Sequence, residues 1–428
     1  MRELKAAIIG AGSTYTPELI EGFIDRQSSL NFQSFYLVDI NKEKLEIAGA
    51  LAERMLFSKG FKGKIVRTDD LDTAISAADY VFAQIRVGGM EARIRDEKIP
   101  LKHGLLGQET TGAGGFMNAL RTVPVMLDIA RRMEKLAPEA WLINFSNPSG
   151  IVAEALLNHT KVKTIGLCNN FINMSAKIAE NIGTKDFDYD YVGLNHFGWL
   201  TSVKTDGKEI LENLGTNAAG EMKNIPGVVY DDQLFAAIPA IPISYLSYFY
   251  LREEQLQKCL KAEKSRGEIC MELEEALLEQ YRNPDLKDKP KELAQRGGAL
   301  YSTAAVSVVD AIENDKNEYH VVNVKNSGAL TFLEDDDVIE VKSLVNKNGA
   351  KPIPVAKMDN LYIKGMVQAL KAYEKLTVRA AINNSRQDAL AALMVHPLIG
   401  DFHKAKAVLD DMLKANAAYV SEKFFQKS

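Results

Sequence analysis

Apolar residues in the first part of the chain come in short runs that alternate with stretches of helical spacing. Ala6-Ala7-Ile8-Ile9 is a compact run ending at Gly10, and it predicts a buried parallel strand. Pro17 stands where a first helical turn tolerates it, and Leu19, Ile20, Phe23 and Ile24 follow with helical spacing. Phe35-Tyr36-Leu37-Val38 predicts a second strand, closed by Asp39; Leu45, Ala48, Leu51 and Met55 mark one face of the next helix. Ile65-Val66, Tyr80-Val81-Phe82-Ala83, Trp141-Leu142-Ile143-Asn144-Phe145 and Thr164-Ile165-Gly166-Leu167 predict further strands, with a helix over residues 125–133 among them. Strands alternating with helices predict an α/β fold: a doubly wound, Rossmann-like parallel sheet with right-handed crossovers.

Beyond residue 168 the pattern changes. Residues 189–204 mix Val192, Leu194, Phe197 and Leu200 with Gly193 and Gly198, which suits sheet. Residues 246–276 read as helix broken at Gly267. Residues 320–341 suggest strands turned at Asn326-Ser327-Gly328, and 366–413 is mostly helical. A chain of 428 residues exceeds one ordinary core. The expected division is 1–168 for a dinucleotide and 169–428 as a mixed α+β domain for catalysis, substrate and oligomerisation. The plan resembles the architecture of malate and lactate dehydrogenases.

Composition narrows the function classes. Hydrophobic residues make up 46% and charged residues 25%, with a formal charge of -5 and no basic stripe, so nucleic acid is not an expected partner. No stretch is long and apolar enough to span a membrane, and the run at Ala6–Ile9 is too short for a signal peptide. Cys168, Cys259 and Cys270 cannot all pair within the chain, which fits a reducing cytoplasm. Mild acidity gives no general attraction for a phosphorylated substrate, so local arginines or backbone N–H groups must hold one.

Candidate chemistry gathers at strand ends. Gly10-Ala11-Gly12 joins a strand to a helix, the setting in which backbone approaches a pyrophosphate, and Asp39 ends the next strand, where an acid takes ribose hydroxyls. Tyr15 departs from the usual fingerprint by replacing its third glycine. Cys168 ends the last parallel strand, and His196 lies in Gly193-Leu194-Asn195-His196; taken singly, such residues are more often buried and structural than ligands. Asn147-Pro148 follows the fifth strand. Gln108-Glu109-Thr110-Thr111-Gly112-Ala113-Gly114-Gly115 is either a mobile active-site loop or a surface turn, preceded by Arg86, Arg93 and Arg95. Ser244-Tyr245-Leu246-Ser247-Tyr248-Phe249-Tyr250 is either core packing or the source of a general base, a phenol acidified by a cation.

Together these motifs resemble the NAD- and metal-dependent glycosidases of glycoside hydrolase family four, an exception to two-carboxylate glycosidase chemistry. The carriers are Gly10-Ala11-Gly12-Ser13-Thr14-Tyr15-Thr16-Pro17, Ile85-Arg86-Val87-Gly88-Gly89, Gly107-Gln108-Glu109-Thr110, Asn144-Phe145-Ser146-Asn147-Pro148, Gly166-Leu167-Cys168-Asn169, Gly193-Leu194-Asn195-His196 and Tyr245-Leu246-Ser247-Tyr248. The resemblance implies NAD at Gly10, Gly12, Ser13 and Asp39, and a divalent metal, usually Mn2+, on Cys168 and His196. It implies Tyr245 as the base, with Tyr248 as the alternative, and Glu109 as the group raising its basicity. Arg93, Asn147, Asn169 and Arg266 are implied to bind substrate. The implied reaction oxidises C3 of the sugar, removes the C2 proton, eliminates the aglycone, adds water and returns the hydride.

Relatives acting on α-linked phosphoglucosides tend to carry Asp after the Cys. Asn169 cannot donate an acidic proton, which points to 6-phospho-β-glucosides such as phosphorylated cellobiose or an aryl glycoside. Asn170-Phe171 does not match the residues usual after this pair. The resemblance also implies a homodimer or homotetramer. Alternatives are an α-linked phosphoglucosidase or α-galactosidase of the same family, a malate/lactate-type dehydrogenase using an Asp–His pair, and a nucleotide-sensing regulator.

Overall fold

The computed structural model describes residues 1–76, 78–215, 230–297, 301–355 and 358–426. Strands β1 (Leu4–Ile9), β2 (Phe32–Val38), β3 (Lys64–Thr68), β4 (Tyr80–Ala83), β5 (Trp141–Asn144) and β6 (Lys163–Gly166) lie parallel, in the spatial order β3-β2-β1-β4-β5-β6. Helices cover both faces, so β4 is buried along its whole length and an uninterrupted apolar run is what it needs. Phe23, from the helix Thr16–Asp25, packs edge-on against Phe32 at 4.9 Å and Phe82 at 5.1 Å. Such pairs add ~1 kcal/mol each beyond burial. The strand order reverses direction between β1 and β4, which opens a crevice at their carboxyl ends.

A second, smaller sheet holds β7 (Asp188–Leu194), β8 (Phe197–Thr205), β9 (Lys208–Glu209) and β10 (Ile241–Pro242), all paired antiparallel. Three late strands, β11 (Glu318–Lys325), β12 (Val338–Asn346) and β13 (Gly349–Pro352), return to the first sheet and extend it to nine strands. Asn323 of β11 stands opposite Gly166 of β6. The predicted turn at Asn326-Ser327-Gly328 opens the connection from β11 to β12, with Ser327 at φ 45° and Gly328 at φ 83°.

One helical reading needs correction, and a second helix is longer than expected. The helix predicted for 246–276 breaks at 262–265, between Arg252–Lys261 and Arg266–Tyr281, and not at Gly267. Ser265 starts the new helix with a capping box: its hydroxyl accepts from the Glu268 N–H, and the Glu268 carboxylate accepts from the Ser265 N–H. Gly267 sits inside that first turn, against Ile94 and Glu97. The helix predicted at 125–133 begins much earlier and spans Gly112–Leu136. Its opening glycines lie against another segment: a β-carbon on Gly114 would fall 2.2 Å from the Gln108 carbonyl oxygen. Among the described residues, no helix is long and apolar enough to cross a membrane.

Candidate active site

The glycine turn lies where the strand order reverses. Gly10 has φ 87°, and a β-carbon there would sit 2.8 Å from the carbonyl oxygen of Gln84, just past β4. The Gly12 N–H donates to Asp39 Oδ2 at 2.8 Å, and Asn41 N–H donates to Oδ1 at 2.8 Å. A β-carbon on Gly12 would itself meet the Asp39 carboxylate at 2.8 Å, so the cradle admits only glycine. Ser13 continues the turn, its N–H reaching the Gly10 carbonyl at 3.1 Å. Backbone bent tightly beside an acid fits a dinucleotide's pyrophosphate and ribose.

Tyr15 has its own explanation. Its hydroxyl donates to the Arg296 carbonyl, and the Arg296 guanidinium lies 4.7 Å above its ring. Arg296 also donates to Thr14 Oγ1 at 2.5 Å and Glu274 at 2.7 Å. The tyrosine thus ties the turn to a segment far along the chain, which a third glycine cannot do.

Residues 108–111 are all buried, so the alternative of a surface turn is excluded. Gln108 Oε1 accepts from Thr110 N at 2.6 Å, Thr111 N at 2.9 Å and the Thr110 hydroxyl at 2.8 Å. Two backbone donors identify that atom as the amide oxygen. The Thr110 hydroxyl, with its hydrogen on Gln108, must therefore accept from its remaining partner, His196 Nδ1, 3.0 Å away. This assigns the hydrogen to Nδ1 and leaves Nε2 with a lone pair, the form that binds a metal.

Glu109, in the same loop, lies 2.6 Å from Arg86 and 3.0 Å from Arg93; Arg95 makes no ion pair with it. Arg93 also binds Glu97 at 2.8 Å, and Glu97 accepts from Gly267 N–H at 2.6 Å. Burial pushes the Glu109 carboxyl up, but Arg86 and Arg93 outweigh it and hold it down at about 2.

His196 closes the loop between β7 and β8, with φ 60°. That left-handed backbone costs a residue with a β-carbon about 1 kcal/mol. Burial lowers its pKa to about 4, against a weaker opposing pull from Glu109, so the ring is neutral at physiological pH. Cys168 is buried after β6. Burial, then the charge of Glu340, pushes its thiol up; the N–H groups of Asn170 and Asn169 and the Asn195 side chain pull the other way. A bound cation would supply the stabilisation that a thiolate lacks in this buried position. A neutral imidazole with its Nε2 lone pair and a cysteine sulfur are ligand types that fit a divalent metal. Among the described residues, no three His, Cys, Asp or Glu side chains group to hold a metal, so bound sugar oxygens or water would complete the shell. Replacing Thr110 by Val removes the hydroxyl that fixes the His196 ring. Mn2+ affinity, measured by the EPR signal of the free ion, should fall about 10–100-fold, with NAD affinity unchanged.

Tyr245 stacks on His196, ring centroids 4.0 Å apart and planes within 5°. Tyr248 is further off, 6.2 Å from the Tyr245 ring, and burial raises its phenol. Asn147, joined to Pro148 by a cis peptide, follows β5 at the same carboxyl edge of the sheet. Asn169 is buried as N-cap of the helix Asn170–Ile182. Arg266 opens the helix Arg266–Tyr281, its guanidinium donating to the carbonyls of Gln295 (2.9 Å) and Arg296 (3.1 Å). The Asp–His pair of a malate/lactate-type dehydrogenase is not formed at His196, whose Nδ1 meets a threonine. Asn195, Arg296 and Glu340 went without a role in the sequence reading; the signal for Glu340 is an acid set inside the apolar run of β12.

Comparison with known proteins gives consistent matches. The family models described as Family 4 glycosyl hydrolase and its C-terminal domain match residues 5–184 and 191–399. A Bacillus subtilis (strain 168) protein named "Probable 6-phospho-beta-glucosidase" is 40% identical over 99% of this chain and 98% of its own length. The Escherichia coli (strain K12) 6-phospho-beta-glucosidase is 39% identical over 98% of this chain and 96% of its own. The Thermotoga maritima 6-phospho-beta glucosidase, solved with manganese, NAD+ and glucose-6-phosphate, superposes with a TM-score of 0.90 at 34% identity, covering 98% of this chain and 99% of that one. A Plasmodium falciparum malate dehydrogenase shares the fold at a TM-score of 0.54 and 13% identity.

Proposed function

Since this chain belongs to family 4 of the glycosyl hydrolases, we propose that it hydrolyses 6-phospho-β-glucosides with NAD and a divalent cation, Mn2+ foremost. The observation that supports this reading is the setting of His196: a neutral imidazole whose Nδ1 hydrogen is held by Thr110, which leaves the Nε2 lone pair for a metal, with the Tyr245 ring stacked on it.

Gly10, Gly12, Ser13 and Asp39 would hold NAD, and Cys168 and His196 the cation. When bound, these supply a hydride acceptor and donor at C3 and positive charge beside the sugar's C2 and C3 oxygens. Tyr245 takes the C2 proton, and the aglycone leaves by elimination. Arg93, Asn147 and Arg266 orient the phosphorylated sugar, and Glu109 tunes the charge around the base. Asn169 offers no acidic proton to the leaving oxygen, which favours β-linked over α-linked substrates. The same reading gives a cytoplasmic homo-oligomer.

The test is release of p-nitrophenol from its β-glucoside 6-phosphate and from the unphosphorylated β-glucoside, with and without NAD and Mn2+. Hydrolysis of the phosphorylated substrate alone, dependent on both additions and accumulating no NADH, is expected. Hydrolysis indifferent to both additions would sink the reading. Steady NADH formation from small hydroxy acids, without hydrolysis, would favour a dehydrogenase instead.

A further inference from the structure

Glu340 is an acid in an apolar strand. Val338, Ile339 and Val341 around it on β12 are buried, and Glu340 itself is 1% exposed. Its partners are neutral. Oε1 accepts from Asn195 Nδ2 at 3.0 Å and Asn323 Nδ2 at 3.2 Å; Oε2 accepts from the Tyr191 hydroxyl at 3.1 Å. Burying a carboxylate against neutral donors costs stability that an uncharged side chain would not.

The geometry of Asn195 supplies a reason. Its Oδ1 accepts from the Gly150 N–H at 3.2 Å. That contact fixes which end of the carboxamide is oxygen, so both hydrogens of the other end need acceptors. One goes to Glu340. Asn323 braces the arrangement from behind, donating at 3.2 Å both to Glu340 and to the carbonyl of Gly166, two residues before the cysteine.

We infer that Glu340 is a positioning residue for the metal site: it locks the Asn195 amide, and with it the turn between β7 and β8 that carries His196. The inference rests on Cys168 and His196 being the metal ligands. Burial pushes the Glu340 carboxyl up to about 7, and its Oε1, accepting from Asn195 Nδ2, holds the amide in one orientation. A Gln at 340 carries its own N–H2, which competes with the donors of Asn195 and Tyr191 and loosens that hold.

The test is Mn2+ binding to the NAD-loaded protein, followed by the EPR signal of the free ion, with thermal melting in parallel. E340Q should weaken Mn2+ about 10–100-fold, with NAD affinity unchanged. Tyr191→Phe removes a donor from the same carboxylate but leaves Asn195 in place, and should bind Mn2+ like the parent. In an Asn195→Ala background, E340Q should produce no further loss, because its effect passes through that amide. Equal Mn2+ affinity in E340Q and parent overturns the inference. So do matching losses of Mn2+ affinity in E340Q and Tyr191→Phe, tracking the drop in melting temperature, since that is support of the fold. Should E340Q not fold, Asn195→Ala alone decides: Mn2+ bound as tightly as by the parent refutes the relay. Cys168→Ser separates the premise. If it binds Mn2+ like the parent, the ligand assignment itself fails and the inference falls with it.

Discussion

Replacing Tyr245 by Phe should lower kcat for a 6-phospho-β-glucoside by about 10²–10⁴-fold and leave the affinities for Mn2+ and NAD near those of the parent. The substitution keeps the ring that stacks on His196 at 4.0 Å and removes only the phenol oxygen. A loss confined to kcat is what removal of a base produces, because the ligands and their packing persist. Exchange of the C2 hydrogen with solvent deuterium reads the same step directly and should disappear in parallel. Tyr248→Phe is the comparison. If exchange is lost there and survives in Tyr245→Phe, the base is Tyr248.

Glu109→Gln should destabilise the protein by ~3–5 kcal/mol, the usual cost of removing one partner from a buried ion pair. The carboxylate lies 2.6 Å from Arg86 and 3.0 Å from Arg93, both guanidiniums pointing into a buried loop. The amide leaves Arg93 with Glu97 alone and Arg86 uncompensated. The pH dependence has a definite sign. The folded carboxyl is held at about 2, below its ordinary value of 4.5, so its contribution is complete above the unfolded pKa and fades as pH falls through about 2. The gap between parent and variant, from urea denaturation at fixed pH values, should stay flat from neutral pH down to about 5 and narrow only below that. A gap that is already closing near neutral pH would mean that Glu109 is not held ionised by its arginines.

Much of the parallel sheet was legible in the sequence because its inner strands β1, β4 and β5 are largely buried and so carry continuous apolar runs, whereas the edge strand β3 has no buried residue. The glycine turn and Asp39 were legible for a related reason: they sit at the junctions where the run stops. Gly267 misled because glycine was taken as a helix breaker. The physical reason for glycine there is a neighbour, Glu97, that accepts its N–H at 2.6 Å, while the true break is set by the Ser265 cap. Gln108 and Thr110 stood in a visible motif without a role. Their role follows from the direction of two backbone N–H groups, and no spacing rule carries that information. Glu340 and Arg296 were out of reach for another reason. They meet the site only through tertiary contacts, Glu340 across 145 positions to Asn195 and Arg296 across 282 positions to Thr14.

The junction of β6 with β11 has a consequence for synthesis. Gly166 and Asn323 are 157 positions apart, yet they are neighbours in one sheet. At ribosomal rates of about 5–20 residues per second, the edge of β6 waits roughly 8–30 s for its antiparallel neighbour to be made. During that interval the nascent chain presents an unpaired strand edge beside a reduced cysteine, the kind of surface that chaperones cover and that aggregates recruit.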